Sequence, residues 1–211
     1  MNRANLLCLA LALSLGAATP LAANAAPTGA SEQLLLIDKT TGSGALEVIV
    51  TTYGAASPKT GQRDAGKRVN ATLLFERPDR FKLVLDPGGK NERRISGDGE
   101  TVRWFDLATG VQGKAEASKV TDPTVLALLG TVAELGTYAP SKDIVLGKNS
   151  PVNGARLVPA SFGAQAVSVN AWLHAGQPAG FAFGMADGSR VFVAVLAFKA
   201  NVPLKPSDFE L

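Results

Sequence analysis

From residue 46 onward, the sequence consists largely of short segments in which apolar and polar residues alternate. Alternation with a period of two gives a β-strand one apolar face, and Pro, Gly and Asp residues suited to tight turns separate the segments. Phe81, Leu83 and Leu85, for example, alternate with Lys82 and precede Pro87-Gly88-Gly89. The pattern predicts an antiparallel sheet of about ten strands, and sheets of this size usually curl. The predicted strands are 46–53, 69–76, 81–86, 92–96, 101–106, 111–117, 143–146, 155–160, 167–172, 180–185 and 190–199, with a short final strand at 209–211.

One apolar segment with helical spacing interrupts these strands. Asp122-Pro123 is a typical helix start, because aspartate caps the first amides and proline suits the first turn. The apolar positions at i, i+3, i+4 and i+7 are Val125, Leu128, Leu129 and Val132. They form one wide stripe that must be covered. We therefore predict a buried helix over 123–135, with Gly136 as its C-terminal cap.

Two further segments complete the predicted architecture. Ser31 with Glu32 is predicted to cap a short helix that ends near Lys39. Residues 191–198 are apolar at every position, which predicts a strand buried on both faces. The expected fold class is therefore α+β, mainly β, with two helices packed on one side of a curved antiparallel sheet.

The first 25 residues have the pattern of a bacterial secretory signal peptide. Arg3 provides a positive charge, an apolar run over 6–15 follows, and Ala23-Asn24-Ala25 supplies the small residues at a cleavage site. The apolar run is shorter than the roughly 20 residues that span a bilayer. We expect cleavage after Ala25 and a periplasmic or secreted protein with a single domain over 26–211. An uncleaved anchor is the alternative.

The composition of residues 26–211 argues against several classes of protein. The only cysteine, Cys8, lies in the predicted signal, so no disulfide or thiolate chemistry is expected. The single histidine, His174, cannot form a metal site alone, and no nucleophile motif such as G-x-S-x-G is present. Charges are nearly balanced, and no basic run suggests nucleic acid. We expect a monomeric binding protein without enzymatic activity, metal or other cofactor.

Three short motifs are shared with a known superfamily of bacterial envelope proteins. In Leu74-Phe75-Glu76-Arg77-Pro78-Asp79-Arg80-Phe81, a strand runs into an Arg-Pro-x-x-Phe segment. Residues 96–106 are similar to a Ser-Asp-Gly-x-x-x-Trp hairpin, and residues 203–211 are similar to a closing strand. With the order helix, strands, apolar helix, strands, the chain resembles the LolA-type periplasmic lipoprotein carriers over most of its predicted mature length.

This resemblance implies a half-open antiparallel β-barrel closed by a helical lid over an apolar cavity. Known members carry the acyl chains of lipoproteins across the periplasm, which implies an inner-membrane exporter and an outer-membrane acceptor as partners. Arg77 matches an arginine that bonds the lid backbone and holds the empty carrier shut, and Phe81 matches an aromatic residue at the rim. The cavity and lid residues expected here are Arg77, Phe81, Phe75, Leu83, Leu85, Trp104, Val125, Leu128, Leu129 and Val132.

The residues also fit other interpretations. Arg77 could pair with Asp79 or Glu76 in its own turn, Phe81 could be an ordinary core aromatic, and the helix at 123–135 could be a core helix without a ligand. At the level of function, the alternatives are a glycolipid or apolar-ligand carrier, a sensor domain of the same fold, and a structural envelope protein that binds no ligand.

The signal-peptide prediction can be tested on secreted material. The intact mass of periplasmic protein should correspond to a chain that begins at or within one residue of Ala26 and carries no lipid. A species that retains residues 1–25, or one with a diacylglycerol adduct, would contradict the prediction.

Overall fold

The computed structural model describes residues 29–133, 135–146, 152–159 and 166–211, so the predicted signal peptide lies outside the described residues. Eleven antiparallel strands form one sheet in the order β6-β5-β4-β3-β2-β1-β11-β10-β9-β8-β7. The predicted class, an antiparallel sheet of about ten strands, is confirmed. The strands are β1 (Ser43–Tyr53), β2 (Lys67–Glu76), β3 (Arg80–Leu85), β4 (Arg93–Asp98), β5 (Thr101–Asp106), β6 (Gln112–Glu116), β7 (Tyr138–Leu146), β8 (Val152–Pro159), β9 (Ala166–His174), β10 (Gln177–Met185) and β11 (Arg190–Ala200).

The strand order takes the chain to both edges of the sheet. β1 lies in the middle and pairs with β2 on one side and β11 on the other. Strands β1 to β6 step outward to one edge, and strands β7 to β11 return from the opposite edge to the centre. In the described part of the chain β6 and β7 do not pair with each other, so the sheet is open. The connection from β6 to β7 must therefore cross one face of the curved sheet.

Two α-helices pack on that concave face. α1 (Ala30–Thr40) buries Leu34, and α2 (Pro123–Leu129) lies within the connection from β6 to β7. α1 occupies the predicted position, but its N-cap is Gly29 and not Ser31. The N–H and Oγ of Ser31 instead donate to Asp143 Oδ1 of β7, at 2.8 and 2.6 Å. No helix of the described residues is long and apolar enough to span a bilayer.

α2 is shorter than the sequence predicts. It begins at Pro123 with Asp122 as its cap, as expected, but it ends at Leu129 with Gly130 as its C-cap, and the predicted cap at Gly136 is wrong. The hydroxyl of Thr131 donates to the Leu128 carbonyl at 2.5 Å, which satisfies one of the last carbonyls within a tight turn. A Cβ at Gly130 would lie 3.2 Å from the ring of Phe183, so the chain approaches β10 closely here.

The predicted final strand at 209–211 is also wrong. The chain there forms a 3₁₀ helix, Pro206–Phe209, that contacts β3. Asp208 Oδ2 accepts from the Lys205 N–H at 2.7 Å, and Pro206 has no N–H to donate to a strand ladder. The Lys82 ammonium group donates to the Glu210 carbonyl. The C-terminal residues are therefore joined to β3 by the Lys82 side chain, and not by the backbone pairing that a strand would make.

β11 is buried on one face only, which corrects the prediction for residues 191–198. Val191 and Val193 point into the core with no exposed surface, whereas Phe192 and Leu196 are 38% and 63% exposed on the convex face. The pairing with β1 shifts register between Glu47 and Val48, so that Leu196 is an extra, bulged residue. No second layer covers the convex side in the described residues.

Glycines on the concave face make room for aromatic rings from neighbouring strands. Gly97 pairs with Phe81 across β3 and β4, and a Cβ at Gly97 would lie 2.2 Å from Phe81 Cε1. Gly44 pairs with Phe75 across β1 and β2, and a Cβ there would lie 2.6 Å from the Phe75 ring. The rings therefore lie across the adjacent strand and cover its backbone.

We predict that Gly97→Ala lowers the free energy of unfolding by about 1–3 kcal/mol, because the added methyl group displaces the packed Phe81 ring. Gly54→Ala is the matched control, since a Cβ at Gly54 meets no atom within 4 Å, and it should change stability by less than about 1 kcal/mol. Urea denaturation measures both. Equal stabilities of the two variants would mean that the ring moves aside at no cost.

Candidate functional site

The segment that crosses the concave face, residues 123–133, is here called the lid segment. Its predicted lid residues are all buried, with at most 8% exposure for Leu129. They are Val125, Leu128, Leu129 and Val132. They share one apolar core with Phe75 and Leu83 of the sheet, while Leu85 is partly buried at its margin. The structure therefore brings most of the predicted cavity and lid residues together, with the lid segment filling the concave face.

The N-terminal end of the lid segment is fixed by Asp122. Its Oδ1 accepts from the N–H groups of Thr124 and Val125 at 2.9 and 3.3 Å, which satisfies two free amides of the helix end. Its Oδ2 lies 3.3 Å from Arg93 Nη1 of β4. The hydroxyl oxygen of Thr124 also lies 3.3 Å from the hydroxyl oxygen of Thr52, within hydrogen-bond distance. Polar contacts thus join this end of the helix to β1 and β4.

The other end of the lid segment is held by Arg77. Its Nε donates to the Ala133 carbonyl at 3.0 Å, and its Nη2 donates to the Val132 carbonyl at 2.6 Å. Its Nη1 donates to the carbonyl of Asp38 in α1, and Nη2 lies 2.7 Å from Asp38 Oδ1. One guanidinium group therefore joins the lid segment and α1 to the end of β2. We call this set of contacts the arginine clasp.

The backbone positions Arg77 for these contacts. Arg77 follows the last residue of β2, and its N–H donates to the Gly42 carbonyl at 2.8 Å. Pro78 follows, so the ladder cannot continue and the chain turns into β3. Asp38 lies in the last turn of α1, where carbonyls lack amide partners within the helix, and Val132 and Ala133 follow the end of α2. The planar five-donor guanidinium suits several such carbonyls at once.

α1 is fixed at both ends. Near its C-terminal end, Asp38 contacts the arginine clasp, and near its N-terminal end Ser31 bonds to Asp143 of β7. The hydrogen bonds from the Ser31 hydroxyl and N–H favour the ionised carboxylate and hold the pKa of Asp143 below its usual range. α1 and the lid segment together cover the concave face and share the same arginine.

A recess of about 240 Å³ with a mixed, partly apolar lining lies between β4, β5, β6 and the start of the lid segment. Its apolar lining consists of Ile95, Val102, Trp104, Ala115, Val120 and Val125. Beyond the Arg93–Asp122 ion pair, an open polar cleft of about 980 Å³ continues past Lys67, Asp86 and Asp106. Small-molecule sites usually have volumes of about 300–1,000 Å³. The recess is smaller than this, so a long acyl chain would enter only if the lid segment moved away from the sheet.

Phe81 does not lie at an exposed rim in this closed arrangement. Its ring is 7% exposed, lies across Gly97 and borders a small hollow with Arg77, Leu129 and Ala133. Phe81 therefore sits beneath the C-terminal end of the lid segment. Movement of that end away from the sheet would uncover it.

Several residues of the site were not found by sequence reasoning. The ion-pair partner of Arg77 is Asp38, and neither Asp79 nor Glu76 takes that place, since Glu76 pairs with Arg80. Arg93 has the sequence context of a solvated turn, yet it holds Asp122. No sequence signal marks Asp38, because it is one charged residue on a short helix whose partner lies 39 positions further along the chain.

Comparison with known proteins gives one curated relative and a set of similar structures. The chain is 28% identical, over 89% of its length and 89% of the relative, to the outer-membrane lipoprotein carrier protein of Albidiferax ferrireducens. A LolA superfamily protein from Nitrosomonas europaea superposes with a TM-score of 0.50 at 13% identity, over 88% of this chain and 99% of that one. An outer membrane lipoprotein-sorting protein domain from Vibrio parahaemolyticus has a TM-score of 0.44 at 10% identity, over 84% and 93%. No family model matches the chain.

The open sheet, the helices on its concave face and the arginine at the β2–β3 turn define a lidded half-barrel. The comparisons confirm that this chain resembles the LolA-type carriers, and its fold is similar to that of the LolA superfamily protein from Nitrosomonas europaea.

The Ser31–Asp143 contact generates a prediction about acid. Because the pKa of Asp143 is depressed in the folded protein, the contact stabilises the fold fully above the ordinary aspartate value of about 3.9. That stabilisation is lost as the pH falls through the lowered value. Asp143→Asn should therefore be less stable than wild type near neutral pH, and the difference should shrink towards zero below about pH 4, as urea denaturation across a pH series would show.

Asp64→Asn, in an exposed loop, is the control for loss of a carboxylate. A stability difference between wild type and Asp143→Asn that stays constant down to about pH 2 would contradict the assignment.

Proposed function

We propose that the protein is a periplasmic carrier that binds the acyl chains of lipoproteins, or of related lipidated cargo, in the concave face of its half-barrel. The observation that carries the proposal is the arginine clasp, in which Arg77 bonds two carbonyls at the end of an apolar lid segment. A side chain that holds a lid over apolar residues suits a protein that alternates between closed and loaded forms. The likeness to a lipoprotein carrier over most of both chains supports the same role.

The energies involved are compatible with reversible binding. An acyl chain gains about 0.8 kcal/mol for each buried CH₂ group, so a 16-carbon chain gains roughly 12 kcal/mol before ordering costs. Hydrogen bonds from a charged donor contribute about 1.5–3 kcal/mol each at most. The hydrogen bonds of the clasp can therefore shift the balance between the empty closed form and the loaded form.

The proposed role requires no bond to be made or broken in the cargo, so we propose a binding protein and not an enzyme. An inner-membrane exporter that loads the carrier and an outer-membrane acceptor that unloads it are the partners this role implies. If the cargo is a glycolipid or another apolar ligand, the same lid segment would open to admit it and close after its release. Mass spectrometry of lipid that co-purifies after mild extraction would distinguish these cargo classes from a structural protein without ligand.

Arg77→Leu tests the role of the clasp. The variant should keep the fold, but its closed empty form loses the bonds to Ala133, Val132 and Asp38. The loss of even one such bond, about 1.5–3 kcal/mol of closure energy, should lengthen the release half-time of a dansyl-labelled fatty acid roughly 10-fold or more. Fluorescence after transfer to acceptor vesicles measures the release.

Arg80→Leu is a matched control, because Arg80 is an exposed arginine three positions away that pairs only at the surface with Glu76. Its release rate should equal that of wild type. Arg77→Lys keeps the charge without the planar fork and should be intermediate. Circular dichroism monitors the fold. Equal release from wild type and a folded Arg77→Leu protein would exclude the clasp as a determinant of cargo exchange.

A further inference from the structure

The convex face of the sheet carries an apolar patch that the lid and cavity do not explain. Phe192 and Leu196 of β11 are 38% and 63% exposed, and Trp172, Tyr53 and Ile49 are partly buried beside them. We call these five residues the crown patch. Large aromatic residues grouped on an uncovered sheet face are unusual in monomeric proteins and typically mark an interaction site.

The strand register places these residues on one face. One row of paired residues crosses β9, β10, β11 and β1. It consists, in that order, of Trp172, Gly180, Ala194 and Ile49. In the next row, Phe192 pairs with Ala182 and Thr51. The ring of Tyr53 meets the ring of Phe192 edge-on, with centroids 5.7 Å apart. Residues 191 and 193, between the exposed positions, point into the core. The aromatic side chains are therefore neighbours on the outside.

Trp172 is held flat against the sheet. A Cβ at Gly180 would lie 2.2 Å from Trp172 Cζ2, so the indole ring lies across the glycine backbone. Trp172 of β9 and Gly180 of β10 are directly paired across the two strands. A flat, partly exposed indole beside Phe192 presents a rigid apolar surface, which costs little side-chain entropy when it is covered.

The charges around the crown patch are predominantly positive. On the convex face of β1, β8, β9, β10 and β11, the described residues include three exposed basic side chains and one exposed acidic side chain, Glu47. The basic residues are Arg156, Arg190 and Lys199. Arg68 on the adjacent β2 pairs with Thr51 and adds a fourth, while Glu76, at the other end of the same face of β2, is ion-paired with Arg80. The whole chain has a net charge of only +3, so the surroundings of the patch are enriched in positive charge.

We propose that the crown patch docks on the surface of an anionic phospholipid bilayer. The patch extends from β1 to β9, the sixth to the ninth of eleven strands, so it lies near the middle of the convex face. Tyr and Trp favour the region between headgroups and acyl chains, and the surrounding Arg and Lys residues are attracted to anionic headgroups.

A second copy of the chain fits the patch less well. A twofold contact through the crown patch would bring the four basic residues of one copy towards those of the other, and like charges across an interface oppose association. An anionic bilayer complements them. The docked face is opposite the lid segment, so the concave face would stay free, and the proposal does not depend on the proposed cargo.

The test uses the protein after signal removal and vesicles of phosphatidylcholine with or without phosphatidylglycerol. Co-sedimentation should show binding to vesicles that contain phosphatidylglycerol and at least 10-fold weaker binding to pure phosphatidylcholine. Raising salt from about 0.1 M to about 1 M, which shortens the screening length from about 10 Å to about 3 Å, should weaken binding to phosphatidylglycerol strongly.

Two sets of variants locate the contact. Each basic residue near an anionic surface contributes roughly five-fold in affinity, so the triple variant Arg68→Gln, Arg156→Gln, Arg190→Gln should lose on the order of 100-fold. The control variant Lys39→Gln, Lys90→Gln, Lys119→Gln removes the same charge from exposed sites on α1, the β3–β4 turn and the segment before α2, and should lose less than about five-fold.

The two tryptophans report the face that touches the membrane. Trp104 lines the recess on the concave side and Trp172 lies in the crown patch, and the chain has no other tryptophan. Vesicle binding should shift the fluorescence of Trp104→Phe, which retains Trp172, to shorter wavelength, and leave the spectrum of Trp172→Phe unchanged.

Circular dichroism controls for folding in every variant. Any of three results would overturn the proposal. They are equal binding to both vesicle types, equal loss of affinity in the two triple variants, and a fluorescence shift seen only in Trp172→Phe. Absence of vesicle binding together with a dimer in sedimentation equilibrium, lost in Phe192→Ser, would assign the patch to self-association instead and would equally overturn it.

Discussion

The burial of one apolar connection on the concave side of the sheet determines the rest of this structure. The chain leaves the sheet at β6 and re-enters it at β7, at the opposite edge, so the connection must cross the curved face. Its side chains Val125, Leu128 and Val132 are almost fully buried there. An open sheet of eleven strands usually curls, and this segment fills the concave side. The polar contacts at Asp122 and Arg77 then fix its two ends.

In the proposed carrier, cargo would take the place of the lid segment on the concave face. Full burial of an aliphatic side chain is worth about 1.5–3 kcal/mol, so the four core residues of the lid segment together gain roughly 6–12 kcal/mol. A long acyl chain gains a similar gross amount. Lid and cargo would therefore compete for the same apolar face with nearly equal energies. In such a balance, the few hydrogen bonds of Arg77 have a large effect on the fraction of open molecules.

Local patterns predicted most of the fold, and non-local contacts account for what they missed. The strands follow from alternation and turn residues, and the start of α2 follows from Asp122-Pro123. The end of α2 depends on contacts of Gly130 and Thr131 in the folded chain, which no local pattern records. The motif resemblance pointed to Arg77, and the structure adds Asp38, whose position near it depends on how α1 docks on the sheet.

The bulge in β11 determines on which face of the sheet Phe198 lies. A strict alternation puts Phe198 on the same face as Phe192. Because Leu196 is an extra residue opposite the Glu47–Val48 step of β1, the alternation reverses there, and Phe198 pairs with Leu46 and packs against the core. One inserted residue thus gives the concave face another aromatic side chain while Leu196 is left on the convex side. Inward and outward residues alternate along this central strand, so substitutions at Val193 and at Phe192 can change the two faces separately.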